Sequence, residues 1–186
     1  MAEYNDGTYV GRAQSLGGEL AVTLVVTNGV PEDLAVTACS DSDGIGKVAA
    51  PLVAQAILAA GTPDMVDVVT GATVTSDAVF EAASRAFRCA ETGYNDGRYR
   101  GAAQSIGGYV DIEMTIENGD VAAVDVRVNN ESDGIGKVVV PLMGQAIVDA
   151  DDPTAVDAMA GATVSSRAVL DAAASCLAQA SGATTH

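Results

Sequence analysis

The chain has 186 residues, of which 48% are hydrophobic and 18% are charged, and its formal net charge is −16. This balance is typical of a folded protein, and the length suits one domain or two small ones. Nucleic acid is excluded as a partner because the chain has nine Lys and Arg residues and no basic run. No apolar run reaches the roughly 18 to 20 residues that cross a bilayer, so no membrane span is expected.

The sequence also excludes several site chemistries. The three cysteines, Cys39, Cys89 and Cys176, form no C-x-x-C pair and their number is odd, so they are predicted to be buried thiols. The single histidine, His186, leaves no candidates for a His-rich metal site or a Ser-His-Asp triad. Neither a metal site nor a catalytic residue is predicted. The acidity either steers a cationic partner or keeps the protein in solution.

The second half of the chain repeats the first at a constant offset of 90 residues. The matching pairs are YNDGTYVGRAQSLGG (4–18) with YNDGRYRGAAQSIGG (94–108), SDGIGKVAAPLVAQAI (42–57) with SDGIGKVVVPLMGQAI (132–147), and GATVTSDAV (71–79) with GATVSSRAV (161–169). An ungapped match of this length predicts two copies of one folding unit. Copy 1 is placed at residues 1–91 and copy 2 at residues 92–186.

Each copy changes its hydrophobic period in the same order. Alternating, β-branched segments come first, and Asn28-Gly29 and Asn118-Gly119 mark hairpin turns. An Ala-rich helix is expected after Gly46 and ends at Gly61, and a second helix follows with Thr75 or Ser76 as its N-cap. The predicted fold class is α+β: two tandem homologous domains, each a small antiparallel sheet of about three strands packed with two helices.

The stretch DVVTGATVTS (67–76) precedes the second helix and admits two interpretations. Its hydroxyl groups could cap that helix, since Ser and Thr are common at helix starts. Alternatively, the unpaired amides and the small residues could bind a phosphate. The stretch recurs as DAMAGATVSS (157–166), which indicates a constraint beyond a single cap, although shared descent also keeps duplicates alike.

Two further motifs are open to a structural or a functional interpretation. The G-I-G segments, 44–46 and 134–136, either connect a strand to a helix or offer exposed amides and a flat apolar contact. They are not a dinucleotide fingerprint, because G-x-G-x-x-G and a parallel βαβ unit are missing. Tyr9 and Tyr99 lie near Gly11 and Gly101 and could form a platform for a planar ligand, or could pack in the sheet.

Taken together, these motifs resemble the FMN-binding domain family. This family includes the covalent flavin subunits of Na+-pumping NADH:quinone oxidoreductase and of Rnf-type complexes, and extracellular electron-transfer flavoproteins. The resemblance rests on D-G-x-Y-x-G-x-A, D-x-x-G-I-G and D-x-x-[ST]-G-A-[ST], which occur in the family's order. It covers nearly the whole chain, once in each copy.

The resemblance implies FMN as the cofactor and assigns site residues. FMN would be joined through a phosphoester to Thr73, and the recognition pattern of a flavin transferase would be completed by Asp67, Thr70, Gly71 and Ala72. In copy 2 the corresponding residues are Asp157, Gly161, Ala162 and Thr163, with Ala160 where Ser or Thr is usual. Either slower modification or noncovalent occupancy of copy 2 would follow. The G-I-G residues expected to lie against the flavin ring are Gly44, Ile45, Gly46, Gly134, Ile135 and Gly136.

The resemblance also implies a function and a set of partners. The expectation is an electron-transfer protein with up to two FMN groups, a redox carrier more than a substrate-converting enzyme. Its partners would be a flavin transferase and redox donor and acceptor proteins. An extracytoplasmic or cell-surface location is expected, with a signal or anchor outside this chain. The alternatives are a noncovalent FMN-binding or sensing module, a fragment of a larger flavin-dependent reductase, and a structural module that has lost the flavin.

Overall fold

The computed structural model describes residues 4–15, 17–39, 45–63, 66, 73–105, 108–129 and 135–181. The chain divides into two compact units, of which the first ends at Asn95 and the second runs from Asp96 to Ser181. Each unit is treated by itself below. The repeat boundary between residues 91 and 92 stays a sequence prediction.

The first unit contains three strands followed by two helices. The strands are β1 (Gly7–Ser15), β2 (Gly18–Thr27) and β3 (Val30–Cys39), and the helices are α1 (Ile45–Ala60) and α2 (Thr73–Thr92). The strands form an antiparallel sheet in the order β1-β2-β3. Two register shifts, at Ala21/Val22 and at Val25/Val26, interrupt the pairing of β2 with β3.

The second unit repeats this order, with one added turn of 3-10 helix. Its elements are β4 (Gly97–Ser105), β5 (Gly108–Glu117), β6 (Asp120–Asn129), α3 (Ile135–Ala150), a 3-10 turn (Pro153–Ala155) and α4 (Thr163–Ala180). The sheet order is β4-β5-β6, and its register shifts fall at Asp111/Ile112 and Thr115/Ile116, the same places in the repeat. The predicted α+β architecture is confirmed in both units.

The predicted Asn-Gly hairpins are confirmed, and an aspartate holds each of them. Asn28 and Gly29 have φ angles of 53° and 72°, the left-handed values that a tight primed turn needs. The amide of Gly29 donates to the Asp6 carboxylate over 2.7 Å. Asp96 accepts from Gly119 over 2.9 Å in the second unit. The aspartate of the D-G-x-Y motif therefore ties the start of the first strand to the turn between the other two.

The helices cover one face of each sheet and bury the core there. In the first unit Tyr9, Leu24, Ile57 and Val79 are among the fully buried side chains. Tyr9 is 1% exposed, so at this position the packing interpretation holds and a ligand platform is excluded. Tyr99 is half-buried, and its hydroxyl lies 3.5 Å from the carbonyl of Asp96, as that of Tyr9 does from Asp6.

The prediction of buried thiols is confirmed for two of the three cysteines. Cys89 and Cys176 are free and buried, whereas the side chain of Cys39 lies outside the described part of the chain. Burial raises the pKa of Cys176 to about 11. This residue therefore remains an uncharged thiol at neutral pH and packs as a small apolar group.

A glycine allows the first strand of each unit to touch the last helix. A Cβ atom built on Gly11 would lie 1.8 Å from the carbonyl oxygen of Ala82, and one built on Gly101 would lie 1.9 Å from that of Ala172. Both neighbours are helix backbone, which cannot move aside without bending the helix. The glycine of the first motif is therefore required for packing.

The opposite faces of the two sheets carry different residues. In the first unit this outer face is uncharged at its centre, where the Thr23 hydroxyl donates to that of Thr37 over 3.3 Å. In the second unit the corresponding positions, Glu113 and Arg127, form an ion pair at 3.1 Å, and Arg100 also binds Glu113 at 3.1 Å. The hydrogen bond from Arg100, followed by the charge of Arg127, holds the pKa of Glu113 below its usual range despite partial burial.

The first helix of each unit is followed by a residue with a left-handed backbone angle, as is common at helix C-termini. Gly61 has φ +77° directly after α1, which confirms the predicted stop, and Asp151 adopts φ +55° after α3. Pro51 and Pro141 lie inside these helices without ending them. Within the described residues, no helix is long and apolar enough to cross a membrane.

Candidate functional site

The second unit exposes a threonine at the start of its last helix. Thr163 is the first residue of α4 and is exposed, and Ala162 precedes it as the N-cap with φ −132° and ψ 34°. No side chain makes a capping hydrogen bond at this end. The first amide groups of a helix have no partner within the helix and carry partial positive charge. This helix start can therefore accept a phosphate group.

The turn before α4 is held in shape by a buried serine. Gly161 has φ +82°, a value that glycine adopts without strain, and the amide of Ala162 donates to the carbonyl of Met159 over 3.1 Å. The hydroxyl of Ser166, which is 0% exposed, accepts a hydrogen bond of 3.1 Å from the amide of Met159. Because Ser166 is one turn inside the helix, it fixes the path of the chain that presents Thr163.

The prediction that Thr75 or Ser76 caps the last helix of copy 1 is wrong. Helix α2 begins at Thr73, so Thr75 and Ser76 occupy its third and fourth positions. A residue there is too far along the helix to bond the first free amides. In the second unit the equivalent Ser166 bonds backward to the loop. Sequence reasoning missed this role, although the recurrence of serine at this spacing was visible.

The first unit places Thr73 at the corresponding position. Thr73 is the first residue of α2, and Ser76 is fully buried like Ser166. The Ser76 hydroxyl has no hydrogen-bond partner among the described residues. The predicted site residues Asp67, Thr70, Gly71 and Ala72, and the side chain of Thr73, lie outside the described part of the chain.

The G-I-G segments are not entirely loops. Helices α1 and α3 begin at Ile45 and Ile135, so Gly46 and Gly136 lie in their first turns, and Gly136 is buried. Glycine costs helix stability but its backbone can adopt helical angles, which explains why the helix starts earlier than predicted. Gly44 and Gly134, and the side chains of Ile45 and Ile135, lie outside the described residues. Gly136 and Thr163 thus lie in the first turns of two different helices of the second unit.

The remaining predicted residue of copy 2, Asp157, is exposed in the segment between the 3-10 turn and α4. The segment is anchored upstream by Asp152, whose carboxylate accepts from the amide of Thr154 over 2.7 Å. Asp157 is thus held on an ordered connection six residues before Thr163. Its exposure suits recognition from outside more than contact with a buried group.

The residues around Thr163 fit a ligand such as FMN, with its phosphate at the helix start. Met159, four residues before Thr163 in the chain, and Val164, directly after it, are 36% and 44% exposed. Large apolar side chains left open beside an anion site are suited to a ligand with a phosphate at one end and a flat apolar ring at the other. Gly161 and Ala162 are small enough to let such a ligand approach the backbone.

A concave surface in the first unit does not have this character. A groove of about 280 Å³ in the first unit is lined by Arg12, Ala13, Gln14, Glu19, Glu81 and Arg85. Its charges pair with each other, Arg12 with Glu19 at 2.9 Å and Arg85 with Glu81 at 2.8 Å. The groove therefore has neither a free cationic group for phosphate nor an apolar wall for a ring. The described residues contain no group of His, Cys, Asp and Glu that could hold a metal ion.

Comparison with known proteins agrees with these observations. An 84-residue stretch is 34% identical to NADH:acrylate oxidoreductase of Vibrio harveyi, and one of the same length is 37% identical to an uncharacterized protein of Treponema pallidum (strain Nichols). Each match covers 45% of the chain, but only 8% and 23% of these relatives. The chain therefore spans a minor part of either relative.

The family comparison covers both units. The FMN-binding domain model matches residues 16–88 and residues 106–178, so each match includes the hairpin, the first helix and most of the second helix with the threonine at its start. The expected resemblance is confirmed, and FMN is the cofactor of this domain. The chain belongs to the FMN-binding domain family and contains its domain twice.

Proposed function

We propose that the chain is an electron-transfer flavoprotein that carries up to two FMN groups, each joined by its phosphate to Thr73 or Thr163. The main support is the position of Thr163, whose side chain is exposed at the first residue of a helix without a side-chain cap. A phosphodiester formed there keeps one negative charge, which the helix dipole stabilises. The tether would also prevent loss of the cofactor from an exposed site.

A flavin transferase is the proposed partner for this attachment. Copy 1 has the complete pattern with Thr70, whereas copy 2 has the exposed Ala160 at the equivalent position. We expect Thr73 to be modified faster than Thr163. FMN would supply the redox chemistry, and the chain would bind, orient and tether it.

Electron transfer is proposed over substrate conversion because the two units duplicate one site and the sequence offers no second constellation for a substrate. The relative from Vibrio harveyi is named as an oxidoreductase that uses NADH, which supports a reductive electron supply. The net charge of −16 favours a cationic redox partner, whose association would slow as salt is added. An extracytoplasmic location is part of the proposal, and labelling of intact cells with an impermeant amine reagent tests it.

The attachment is tested by producing the chain together with a flavin transferase and measuring its intact mass. We expect one or two FMN additions, with Thr73→Ala and Thr163→Ala each removing one, and Ala160→Thr increasing the occupancy of Thr163. Thr115→Ala, a threonine on the outer sheet face, is the matched control and should change nothing. A colourless chain without adduct contradicts the covalent proposal, whereas yellow colour lost on denaturation supports the noncovalent alternative.

Electron transfer itself needs a separate readout. The flavinylated chain should be reduced by dithionite and should pass its electrons to a soluble one-electron acceptor such as ferricyanide. A chain that binds FMN but cannot be reoxidised by any added acceptor would contradict a carrier role.

A further inference from the structure

Three residues of the second unit, Met159, Ala162 and Ser166, are joined in a closed set of three hydrogen bonds. The amide of Ala162 donates to the carbonyl of Met159 over 3.1 Å, and the amide of Ser166 donates to the carbonyl of Ala162 over 2.9 Å. The amide of Met159 donates in turn to the hydroxyl oxygen of Ser166 over 3.1 Å. We call this set the Ser166 clamp. It ties the turn before α4 to the first turn of the helix.

The clamp depends on one side chain. Two of its bonds join backbone groups, so most residues could form them, whereas the third needs an oxygen acceptor on the side chain at position 166. Ser166 is fully buried, and a hydrogen bond in such surroundings is not weakened by competing water. Without this oxygen the Met159 amide would lose its partner, and the turn would be tied to the helix by backbone bonds alone.

The side chain at position 160 takes no part in the clamp. The bond from Ala162 to Met159 closes a four-residue turn, and the third of these residues, Gly161, has φ +82°, as in a type II turn. Such a turn needs a positive φ at its third position, whereas its second position is occupied here by the exposed Ala160. The shape of this turn therefore does not depend on a hydroxyl group at position 160, where copy 1 has Thr70.

The clamp encloses Thr163 without using its side chain. Thr163 lies between Ala162 and Ser166, is exposed, and makes no capping hydrogen bond. No described residue accepts a hydrogen bond from the amides of Thr163, Val164 or Ser165. The clamp thus holds the backbone on both sides of Thr163, while the hydroxyl and the amides at the helix start remain available to a phosphate group.

We propose that Ser166 is a positioning residue for the attachment of FMN to Thr163, and this role rests on the proposed function. A nucleophile reacts faster when its position is fixed in advance, and a misplacement of about 1 Å can cost about a hundredfold in rate. Supporting residues fix such a group through their own packing and hydrogen bonds. Ser166 acts on Thr163 in this way through Met159 and Ala162, from a buried position that an enzyme docking on the surface does not touch.

The step that the clamp would promote transfers a flavin phosphoryl group to the threonine. The Thr163 Oγ forms a bond to the phosphorus on the FMN side of flavin adenine dinucleotide, and the P–O bond between the two phosphates breaks. AMP leaves with the electron pair of that bond, and the hydroxyl proton passes to the solvent. Nothing is oxidised or reduced. The phosphodiester keeps one negative charge at the helix start, where the helix dipole stabilises it.

The experiment uses the full chain, purified flavin transferase in excess and flavin adenine dinucleotide, and follows single turnovers by mass spectrometry of the threonine peptides. In a Thr73→Ala chain, Ser166→Ala should lower the maximal rate constant at Thr163 by about tenfold or more. The transferase concentration that gives half of this rate should stay nearly unaltered, because Ser166 is buried. In a Thr163→Ala chain, the same change should leave the modification of Thr73 unaltered.

Two further variants separate the hydrogen bond from other effects. Ser166→Cys nearly preserves the volume of the side chain but offers a weak acceptor, so it should slow the modification of Thr163 as alanine does. Ser175→Ala removes an exposed serine from the same helix and should leave the rate unaltered. A wild-type rate in Ser166→Cys would show that volume is what matters at this position, and would overturn the positioning role.

Hydrogen exchange in the chain without FMN tests the clamp apart from any reaction. Ser166→Ala should speed exchange of the Met159 amide by about fivefold or more, while amides in the later turns of α4 keep their protection. Faster exchange throughout α4 would mean that the helix itself is lost, and would overturn the proposal. So would unaltered exchange at Met159, or an unaltered maximal rate at Thr163 in a chain that gains FMN. A wild-type chain that gains no FMN contradicts the attachment itself, and the positioning role with it.

Discussion

The two units differ on the outer faces of their sheets and agree at several exposed positions of their first helices. The hydrogen-bonded hydroxyls of Thr23 and Thr37 in the first sheet correspond to the ion pair of Glu113 and Arg127 in the second. The exposed Val48, Pro51 and Leu52 of α1, by contrast, are matched by Val138, Pro141 and Leu142 of α3. Exposed positions therefore differ in how far they have changed between the copies, and the outer sheet face is one place where the units have diverged.

The largest loss of stability is expected from replacing the glycine that lets the first strand of each unit touch its last helix. Gly11→Ala and Gly101→Ala would place a methyl group 1.8 and 1.9 Å from a helix carbonyl oxygen. Each change should lower the free energy of unfolding by about 3 kcal/mol or more. Hydrogen exchange in urea, read from peptides of each unit, measures the loss. Gly144→Ala is the control, since its nearest contact is 3.2 Å and α1 already has Ala54 there. A loss below about 1 kcal/mol at Gly11 would contradict the required close approach.

A second shared feature is the carboxylate that holds each hairpin turn. Asp6→Ala and Asp96→Ala should each destabilise their own unit by about 2 kcal/mol, because a charged acceptor of a backbone amide is lost. Asp→Asn retains an acceptor oxygen and should cost less. Faster exchange of the Gly29 or Gly119 amide reports the change. Equal losses for Ala and Asn would show that the amide bond is not the source.

How much of the structure can be predicted from the sequence depends on whether a residue type at a given place has one common role or several. Asn-Gly between alternating strands has essentially one conformation, so the hairpins were predictable. Hydroxyl groups near a helix start can cap, bond backward or remain exposed. For this reason the role of Ser166 and the true start of α2 were not. The helices are so rich in alanine and valine that their hydrophobic period does not distinguish Val48, outside, from Val53, inside.

Asn95 allows a test of a contact at the edge of the first sheet. Its side chain accepts from the amide of Val10 over 2.9 Å and donates to the carbonyl of Thr8 over 3.2 Å, in the manner of an added peptide group. Asn95→Ala should cost about 1 kcal/mol and raise exchange at Val10. Asn95→Asp, which keeps the acceptor and loses the donor, separates the two bonds. Unaltered exchange at Val10 in the alanine variant would contradict this edge contact.

The smallest expected effect is on the pH dependence of stability, which should differ between the two sheets. The pKa of Glu113 is lowered in the folded state, mainly by the hydrogen bond from Arg100, so its contribution to stability is present above the ordinary glutamate pKa. The contribution is lost as the pH falls through the lowered value. Acid unfolding of the second unit should therefore be less steep in Glu113→Gln. The same titration of the first unit, which has Thr23 there, is the control, and an unchanged slope in the variant refutes the assignment.

The aspartate bonds at the hairpins also bear on how the protein ages. Asn28-Gly29 and Asn118-Gly119 are the kind of sequence in which the glycine nitrogen attacks the asparagine side chain, releases ammonia and leaves a cyclic imide. In both turns that nitrogen is the donor held by Asp6 or Asp96. Attack requires the backbone to rotate out of this bond and out of the turn. We expect these asparagines to remain intact in the folded chain and to deamidate once Asp6 or Asp96 is replaced. Each carboxylate therefore protects the asparagine of its turn from deamidation.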